Sequence, residues 1–234
     1  ARTAAPLPEG EWIGLLPGSK PAKLSVGMPF LLETADRLAR LRPNSRFLLP
    51  IAPTTSEEEL IRFAGESNPI ARSYGAAVGQ CRDGLLVTQA GTTIRLLKEH
   101  PAHGPLSQCA LALTTVGANT AELGALGVPM IVIVPTQHLA VMQAWDGAIG
   151  LLARLPLLRR LVGGLLSLWR LRNNGLMAWP NISAGRVVVP ERVGEITPQQ
   201  IAEEAADWLA APERLQGQRD DLQALRGQPG AVAA

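Results

Sequence analysis

The sequence predicts an α/β protein built on a parallel sheet with helices on both faces. Two observations carry that prediction. Leu111–Thr114 and Met130–Val134 are short unbroken apolar runs, as strands buried on both sides require, and a short helix over Asn119–Leu126 joins them. Glycine punctuates this unit at Gly117, where strand turns into helix, and again at Gly127 before Pro129, where helix gives way to strand. Composition agrees. Of 234 residues, 47% are apolar and 18% charged, which allows a real core and argues against extensive disorder.

The remaining elements follow in order. Residues 1–11 form a polar, proline-containing lead-in without the apolar core of a signal peptide, so they read as a linker into a domain over 12–226. Chain 1–234 is on this reading the C-terminal part of something longer. Trp12–Leu16 is an apolar run ended by Pro17-Gly18-Ser19-Lys20, and a helix follows with apolar positions at Leu31, Leu32, Ala35, Leu38 and Leu41 until Pro43-Asn44 stops it. The turn approaches a phosphate-binding P-loop but fails the pattern, because Ser19 stands where its second glycine should be. Arg46–Ile51 is the next strand. Ser56 caps a helix to Ala64, with Glu57, Glu58 and Glu59 complementing the helix dipole. Gly84–Thr88 and Thr93–Leu97 are strands around a turn at Gln89–Thr92, while His100 and His103 read as solvated loop histidines.

After the central unit, Pro135-Thr136-Gln137-His138 lies at the C-terminal end of a strand, the edge where open α/β sheets bind ligands. His138 reads either as a substrate contact or as a polar residue starting a helix. Residues 148–172 carry an apolar stripe (Leu151, Leu155, Leu158, Val162, Leu165, Trp169) beside Arg154, Arg159, Arg160, Arg170 and Arg172. Such a segment suits an anionic membrane surface, with Leu155, Arg159, Arg160, Leu165, Trp169 and Arg170 as contacts. It equally suits an interdomain or dimer helix. Further on, Trp179–Ile182 reads as a loop entry and Arg186–Val189 as a last strand. Thr197 caps a helix over Pro198–Leu209 whose Gln199 and Gln200 read as surface residues, Glu213–Leu225 is a second amphipathic helix, and 227–234 is a frayed tail.

Several function classes fall away. A formal net charge of +2 gives no general affinity for nucleic acid. Cys81 and Cys109 have neither Cys-x-x-Cys spacing nor histidine partners, so they read as reduced core thiols, and no metal site is visible. What remains is the glycine turn. Gly117, Ala118, Asn119 and Thr120 open a helix, where free backbone N–H groups and the positive dipole end suit a phosphate or diphosphate. Glu122, in the same first turns, is placed to accept from sugar hydroxyls. Ordinary N-capping is the other reading of this pattern.

Together these pieces resemble the C-terminal domain of the lipid-A-disaccharide synthase family, membrane-associated glycosyltransferases of the two-domain GT-B type. The residues that carry the resemblance are Leu16-Pro17-Gly18-Ser19-Lys20, Gly117-Ala118-Asn119-Thr120-Ala121-Glu122, Gly127-Val128-Pro129-Met130, Pro180-Asn181-Ile182 with Ala184-Gly185-Arg186, and Val189-Pro190-Glu191. They occur in family order over roughly residues 12–210. The resemblance implies a Rossmann-like, donor-binding domain and a UDP-linked, N-acylated glucosamine donor moved to a lipid acceptor. It also implies a place in the cytoplasm on the inner face of a membrane, an absent N-terminal acceptor domain, and no cofactor or metal. By carry-over, Gly18, Ser19, Gly117, Ala118, Asn119, Thr120, Glu122, Gln137 and Glu191 bind donor, and Lys20 and Asn181 are catalytic. Three features depart from the family pattern. Lys20 replaces an arginine and lacks its bidentate fork, the stretch Pro135–His138 is altered, and Arg192-Val193-Gly194 follows the Pro-Glu pair where a glutamine is usual. An epimerase acting on UDP-N-acetylglucosamine, or a non-catalytic membrane- or partner-binding domain of the same fold, are the competing readings.

Overall fold

A computed structural model describes residues 7–53, 55–74, 78–138 and 175–226. The segment 148–172, with its proposed membrane contacts Leu155, Arg159, Arg160, Leu165, Trp169 and Arg170, lies outside the described residues, as does the tail at 227–234.

The fold is α/β, as the apolar runs predict. In chain order the elements are β1 (Glu11–Leu16), α1 (Pro21–Leu41), β2 (Ser45–Pro50), α2 (Glu57–Ala64), α3 (Pro69–Tyr74), β3 (Val78–Arg82), β4 (Leu85–Thr88), β5 (Thr93–Leu97), α4 (His103–Ser107), β6 (Leu111–Thr115), α5 (Ala118–Leu126) and β7 (Met130–Pro135). After a single 3₁₀ turn at Thr136–His138 come α6 (Trp179–Ala184), β8 (Glu191–Gly194), α7 (Pro198–Leu209) and α8 (Pro212–Ala224). Eight strands form one sheet in the order β3-β4-β5-β2-β1-β6-β7-β8. From β5 to β8 every neighbouring pair is parallel, and the hairpins β3–β4 and β4–β5 are antiparallel.

Helices lie on both faces because the strand residues alternate between two cores. Ile13, Leu15, Leu113, Ile131 and Ile133 pack with α1, α2 and α7, whereas Trp12, Leu16, Ala112, Met130 and Val132 pack with Leu106, Leu123 and Leu222. The long helix α1 carries Pro29 in its interior, and proline has no N–H for the Ser25 carbonyl four residues earlier. Nearly buried Asn68 fills that gap, donating to Ser25 O at 2.7 Å and to Phe63 O at 2.6 Å.

Three sequence expectations are corrected. Arg186–Val189 is not a strand: the amides of Val188 and Val189 donate to Asn181 Oδ1 at 2.7 and 2.8 Å, so β-pairing passes instead to Glu191–Gly194. Trp179–Ile182 belongs to a helix, begun by Pro180 in its first turn. His103 opens α4 and faces Glu122 (Nε2 to Oε1, 3.2 Å), so it is not simply a solvated loop residue. Gln200 is exposed and Gln199 half-exposed, as expected of surface residues, and both also hold structure, Gln199 accepting from Arg37 at 2.8 Å and Gln200 closing a capping box with Thr197. Helix α3 and strand β3 have no counterpart in the sequence reading.

Candidate functional site: the crevice between β1 and β6

From β1 the chain moves outward through β2 towards β5, then returns to lay β6 on the other side of β1. The order of the sheet therefore reverses between β1 and β6. Their helices α1 and α5 leave the C-terminal ends of these two strands on opposite faces, which opens a crevice at that edge. Both turns entering the crevice contain a glycine in a conformation that side chains disfavour, Gly18 at φ +103° and Gly117 at φ +147°.

Side chains tie the two turns together. Thr115, ending β6, donates from Oγ1 to Pro17 O at 3.1 Å. Lys23, in the first turn of α1, donates from Nζ to Val116 O at 2.6 Å. The same lysine explains why both positions lack a side chain. A Cβ at residue 18 would sit 2.9 Å from Lys23 Cβ, and one at residue 117 would sit 2.7 Å from its Nζ. Neither Lys23 nor Thr115 was singled out from the sequence. Their only signal there is proximity, Lys23 three residues after Lys20 and Thr115 two before Gly117.

The expected ligand amides occupy this crevice. Among the described residues the backbone N–H groups of Gly117, Ala118 and Asn119 donate to no protein acceptor, as the first groups of a helix without a side-chain cap should not. Thr120 differs. Its backbone N–H and its hydroxyl both donate to Gly117 O, at 3.0 and 2.8 Å, and the hydroxyl accepts from Trp179 N at 3.1 Å. Thr120 is thus a buried brace under the turn. Neither α1 nor α5 has an acidic side chain in its own first turn to offset the positive end of its dipole. Ser19 and Lys20 are exposed on the β1–α1 turn, with Lys20 as the N-cap residue of α1.

The other residues carried over from the family resemblance have different places. Glu122 is partly exposed and turned to His103. Gln137, beyond β7, is exposed and donates to Ile196 O at 2.6 Å. Asn181 is fully buried and has every hydrogen-bonding position in use: Nδ2 donates to Val189 O (2.8 Å) and Glu191 Oε1 (2.7 Å), while Oδ1 accepts from Val188 and Val189. Glu191 also accepts from the amides of Met177 (2.9 Å) and Ala178 (2.8 Å), which lie just ahead of α6. The carboxylate is therefore a helix N-terminal anchor. These bonds give Asn181, expected to be catalytic, and Glu191, expected to bind donor, a scaffolding role. Asn181 has no hydrogen-bonding position left for a substrate, whereas Glu191 is half-buried and its Oε2 accepts only from Met177 N at 3.0 Å among the described residues.

Two grooves lie elsewhere. One of about 530 Å³ is lined by Trp12, Arg40, Arg46 and Arg95. Another of about 630 Å³ is lined by Val187, Pro190, Arg192 and Trp208. Among the described residues no group of three or more His, Cys, Asp or Glu side chains is placed to hold a metal ion. Nor is any described helix long and apolar enough to cross a membrane.

No family model matches the chain. Individual proteins do. The chain is 26% identical over 222 residues to the lipid-A-disaccharide synthase of Nitrosococcus oceani, covering 94% of this chain and 45% of that protein. To the lipid-A-disaccharide synthase of Myxococcus xanthus it is 28% identical over 228 residues, covering 95% of this chain and 46% of the relative. The chain thus spans about half the length of the curated relatives it matches. Among solved structures, the C-terminal CMP-Kdo binding domain of WaaA from Acinetobacter baumannii superposes with a TM-score of 0.47 at 11% identity, covering 94% of this chain and 90% of that one. The likeness read from the motifs therefore extends over nearly the whole sequence.

Proposed function

We propose that this chain is the donor-binding part of a GT-B glycosyltransferase, lipid-A-disaccharide-synthase-like, which moves an acyl-glucosamine-type sugar from UDP to a lipid acceptor. One observation carries the reading. At the point where strand order reverses, two glycine turns and the positive ends of two helices meet, with three backbone N–H groups unclaimed among the described residues. This environment suits the diphosphate of a nucleotide-sugar.

In that role Gly117, Ala118 and Asn119 donate to the diphosphate from the α5 side, and Gly18 and Ser19 line the opposite turn. Lys20 adds charge from the rim. Glu122, already positioned by His103, offers its second carboxylate oxygen to ribose hydroxyls, and Gln137 closes the far side beyond β7. The chemistry is electrostatic. Charge grows on the UDP leaving group as the glycosidic bond breaks, and fixed donors aimed at it stabilise that transition state more than the ground state. The acceptor and its general base would come from the part of the relatives that this chain does not span. The 234-residue chain alone is accordingly expected to bind donor without transferring it. On the same reading, the arginine-flanked stripe of 148–172 brings the protein to an anionic membrane surface on the cytoplasmic side.

Calorimetric titration with UDP and uridine tests the central claim. UDP is expected to bind at least tenfold more tightly, and equal affinities would remove the diphosphate site. Liposome flotation with and without residues 148–172 tests the membrane claim, which equal flotation would dismiss.

A further inference from the structure

We propose that the groove at the N-terminal ends of β1, β2 and β5 is a second ligand site, which takes the phosphate of a small soluble phosphate monoester on Arg40, Arg46 and Arg95. It lies at the opposite end of the sheet from the donor crevice and does not rest on the donor reading.

Strand alternation brings two of these arginines together. Phe47 and Leu49 of β2, with Ile94 and Leu96 of β5, pack in the core under α1. Arg46 and Arg95 therefore project from the other face of the sheet, as does Trp12, the ladder partner of Arg46. Leu48 is the ladder partner of Arg95, which makes the two arginines diagonal neighbours on adjacent parallel strands. Leu48 and Leu97 are buried on that face, whereas Arg46, Arg95 and Leu85 stay exposed. Arg40, in the last turn of α1, lines the same groove.

Charge decides what fits there. Arg37, Arg42, Arg62, Arg82, Arg186 and Arg192 each pair with a carboxylate. Among the described residues Arg40, Arg46 and Arg95 have no such partner, and their side chains donate to no acceptor. Asp36 is the one described carboxylate in the lining. It is nearly buried and accepts from Thr88 Oγ1 at 2.6 Å. Glu11, close by, is engaged by Arg42 and Ser45 at 2.7 Å each. The lining thus carries two positive charges in excess, which a phosphate monoester matches and a single carboxylate does not.

The site is also partly positioned in advance. The Arg46 guanidinium carbon lies 5.8 Å from the centroid of the Trp12 ring. Gly10, at φ +154°, runs so close that a Cβ there would meet Arg46 Nε at 2.8 Å. A guanidinium held between a ring and a backbone loses less freedom on binding, and its planar fork matches phosphate oxygens. At about 530 Å³ the groove is larger than a phosphate group alone, and Phe47 and Leu85 offer apolar surface to whatever the phosphate is attached to. Ala39 and Pro43 at the end of α1 wall one side and the turn at 90–92 the other. A flat bilayer reaches only the rim of such a hollow, which favours a small ester over a lipid surface.

Phenyl phosphate is the probe, with benzoate as the carboxylate control and thermal unfolding as the control for folding. By calorimetry, phenyl phosphate should bind at least fivefold more tightly than benzoate. The double variant Arg46→Gln/Arg95→Gln should weaken it at least fivefold while keeping the wild-type preference for UDP over uridine. Equal affinity for the two probes overturns the phosphate assignment, and an unchanged double variant overturns the site. Loss of the UDP preference along with the groove overturns its separation from the donor crevice. Phenylglyoxal modification of the wild type, quantified at each arginine by mass spectrometry, gives a readout that needs no variant. Phenyl phosphate should slow modification of Arg46 and Arg95 but not of Arg72, which is exposed and outside the groove. Equal rates with and without the probe overturn the proposal. So does a groove protected by vesicles of phosphatidic acid in phosphatidylcholine but not by phenyl phosphate, since the occupant is then a lipid surface.

Discussion

Replacing Asn181 by alanine separates a scaffolding role from a chemical one. The side chain makes four hydrogen bonds, to Val188 N, Val189 N, Val189 O and the Glu191 carboxylate, and is fully buried. Three of these are between neutral groups and contribute about 1 kcal/mol each; the bond to a carboxylate contributes about 1.5–3 kcal/mol. Alanine also leaves their former partners unsatisfied in a site where water has poor access. The expected loss is therefore about 4–6 kcal/mol, a large part of the whole stability of an ordinary domain. For a chain of this size that lowers the melting temperature by roughly 10–20 °C. Urea denaturation followed by circular dichroism measures it directly. Asn181→Asp should be worse than alanine near neutral pH, because it sets a second carboxylate against Glu191. That repulsion raises the pKa of the pair in the folded state, so the added penalty is present at neutral pH and is relieved as pH falls through the raised value. An alanine variant that unfolds at the wild-type midpoint would refute the scaffold assignment and return Asn181 to the list of groups free to touch substrate.

Other consequences concern titration and reactivity. Burial works to raise the pKa of Glu11, but the Arg42 and Ser45 hydrogen bonds and the Arg42 charge outweigh it and hold the carboxyl below its ordinary value. A depressed folded pKa gives stability that is present above the unfolded value and lost as pH falls through the folded one. Urea midpoints should accordingly fall below pH about 4, and Glu11→Gln should be less stable at neutral pH yet lose less on acidification. Equal acid slopes for the two proteins would contradict the assignment. Burial pushes the Cys109 thiol up to about 12, so it should resist a disulfide reagent at pH about 8 until urea unfolds the chain. Burial, with the Glu57 carboxylate 3.6 Å away, also raises Cys81, which should react more slowly than free cysteine. Fast reaction of both thiols in the native protein would count against this packing.

Much of the fold is legible in the sequence because its central strands are buried on both faces. β1, β6 and β7 need no partner to be recognised, since an unbroken apolar run has few other places to go. The helix starts at Ser56 and Thr197 are legible for a local reason: each serine or threonine has its Glu or Gln three residues later, and both capping boxes form. The failures are tertiary. Val187-Val188-Val189 has the composition of a strand, but the amides of Val188 and Val189 are claimed by a side chain seven and eight residues earlier, which no periodicity reveals. β3 offers Gly79, Gln80 and Arg82 within five residues and becomes a strand through pairing with β4. Lys23 fails to stand out for the same kind of reason. Its partner Val116 is distant in sequence, and only the parallel pairing of β1 with β6 makes them neighbours.

The crevice and the buried Asn181 unit are mechanically one structure, which bears on why the motifs around 117 and 180–191 occur together. Glu191 opens β8 and fixes the start of α6 through the amides of Met177 and Ala178. The first residue of α6, Trp179, donates to Thr120 Oγ1, and that hydroxyl donates in turn to Gly117 O. Gly124 lets the two helices close, since a Cβ there would meet Pro180 at 3.0 Å. Hydrogen bonds joined through the Ala178–Trp179 peptide thus connect the edge strand to the turn whose amides face the crevice. The residues of this scaffold set the direction of the groups proposed to bind the ligand. An error of about 1 Å in that direction is costly for a site that depends on fixed donors. The engagement of Asn181 and Glu191 in the scaffold therefore does not separate them from function. It gives them a part in the aim of the site, acting through Thr120 on the amides of Gly117, Ala118 and Asn119.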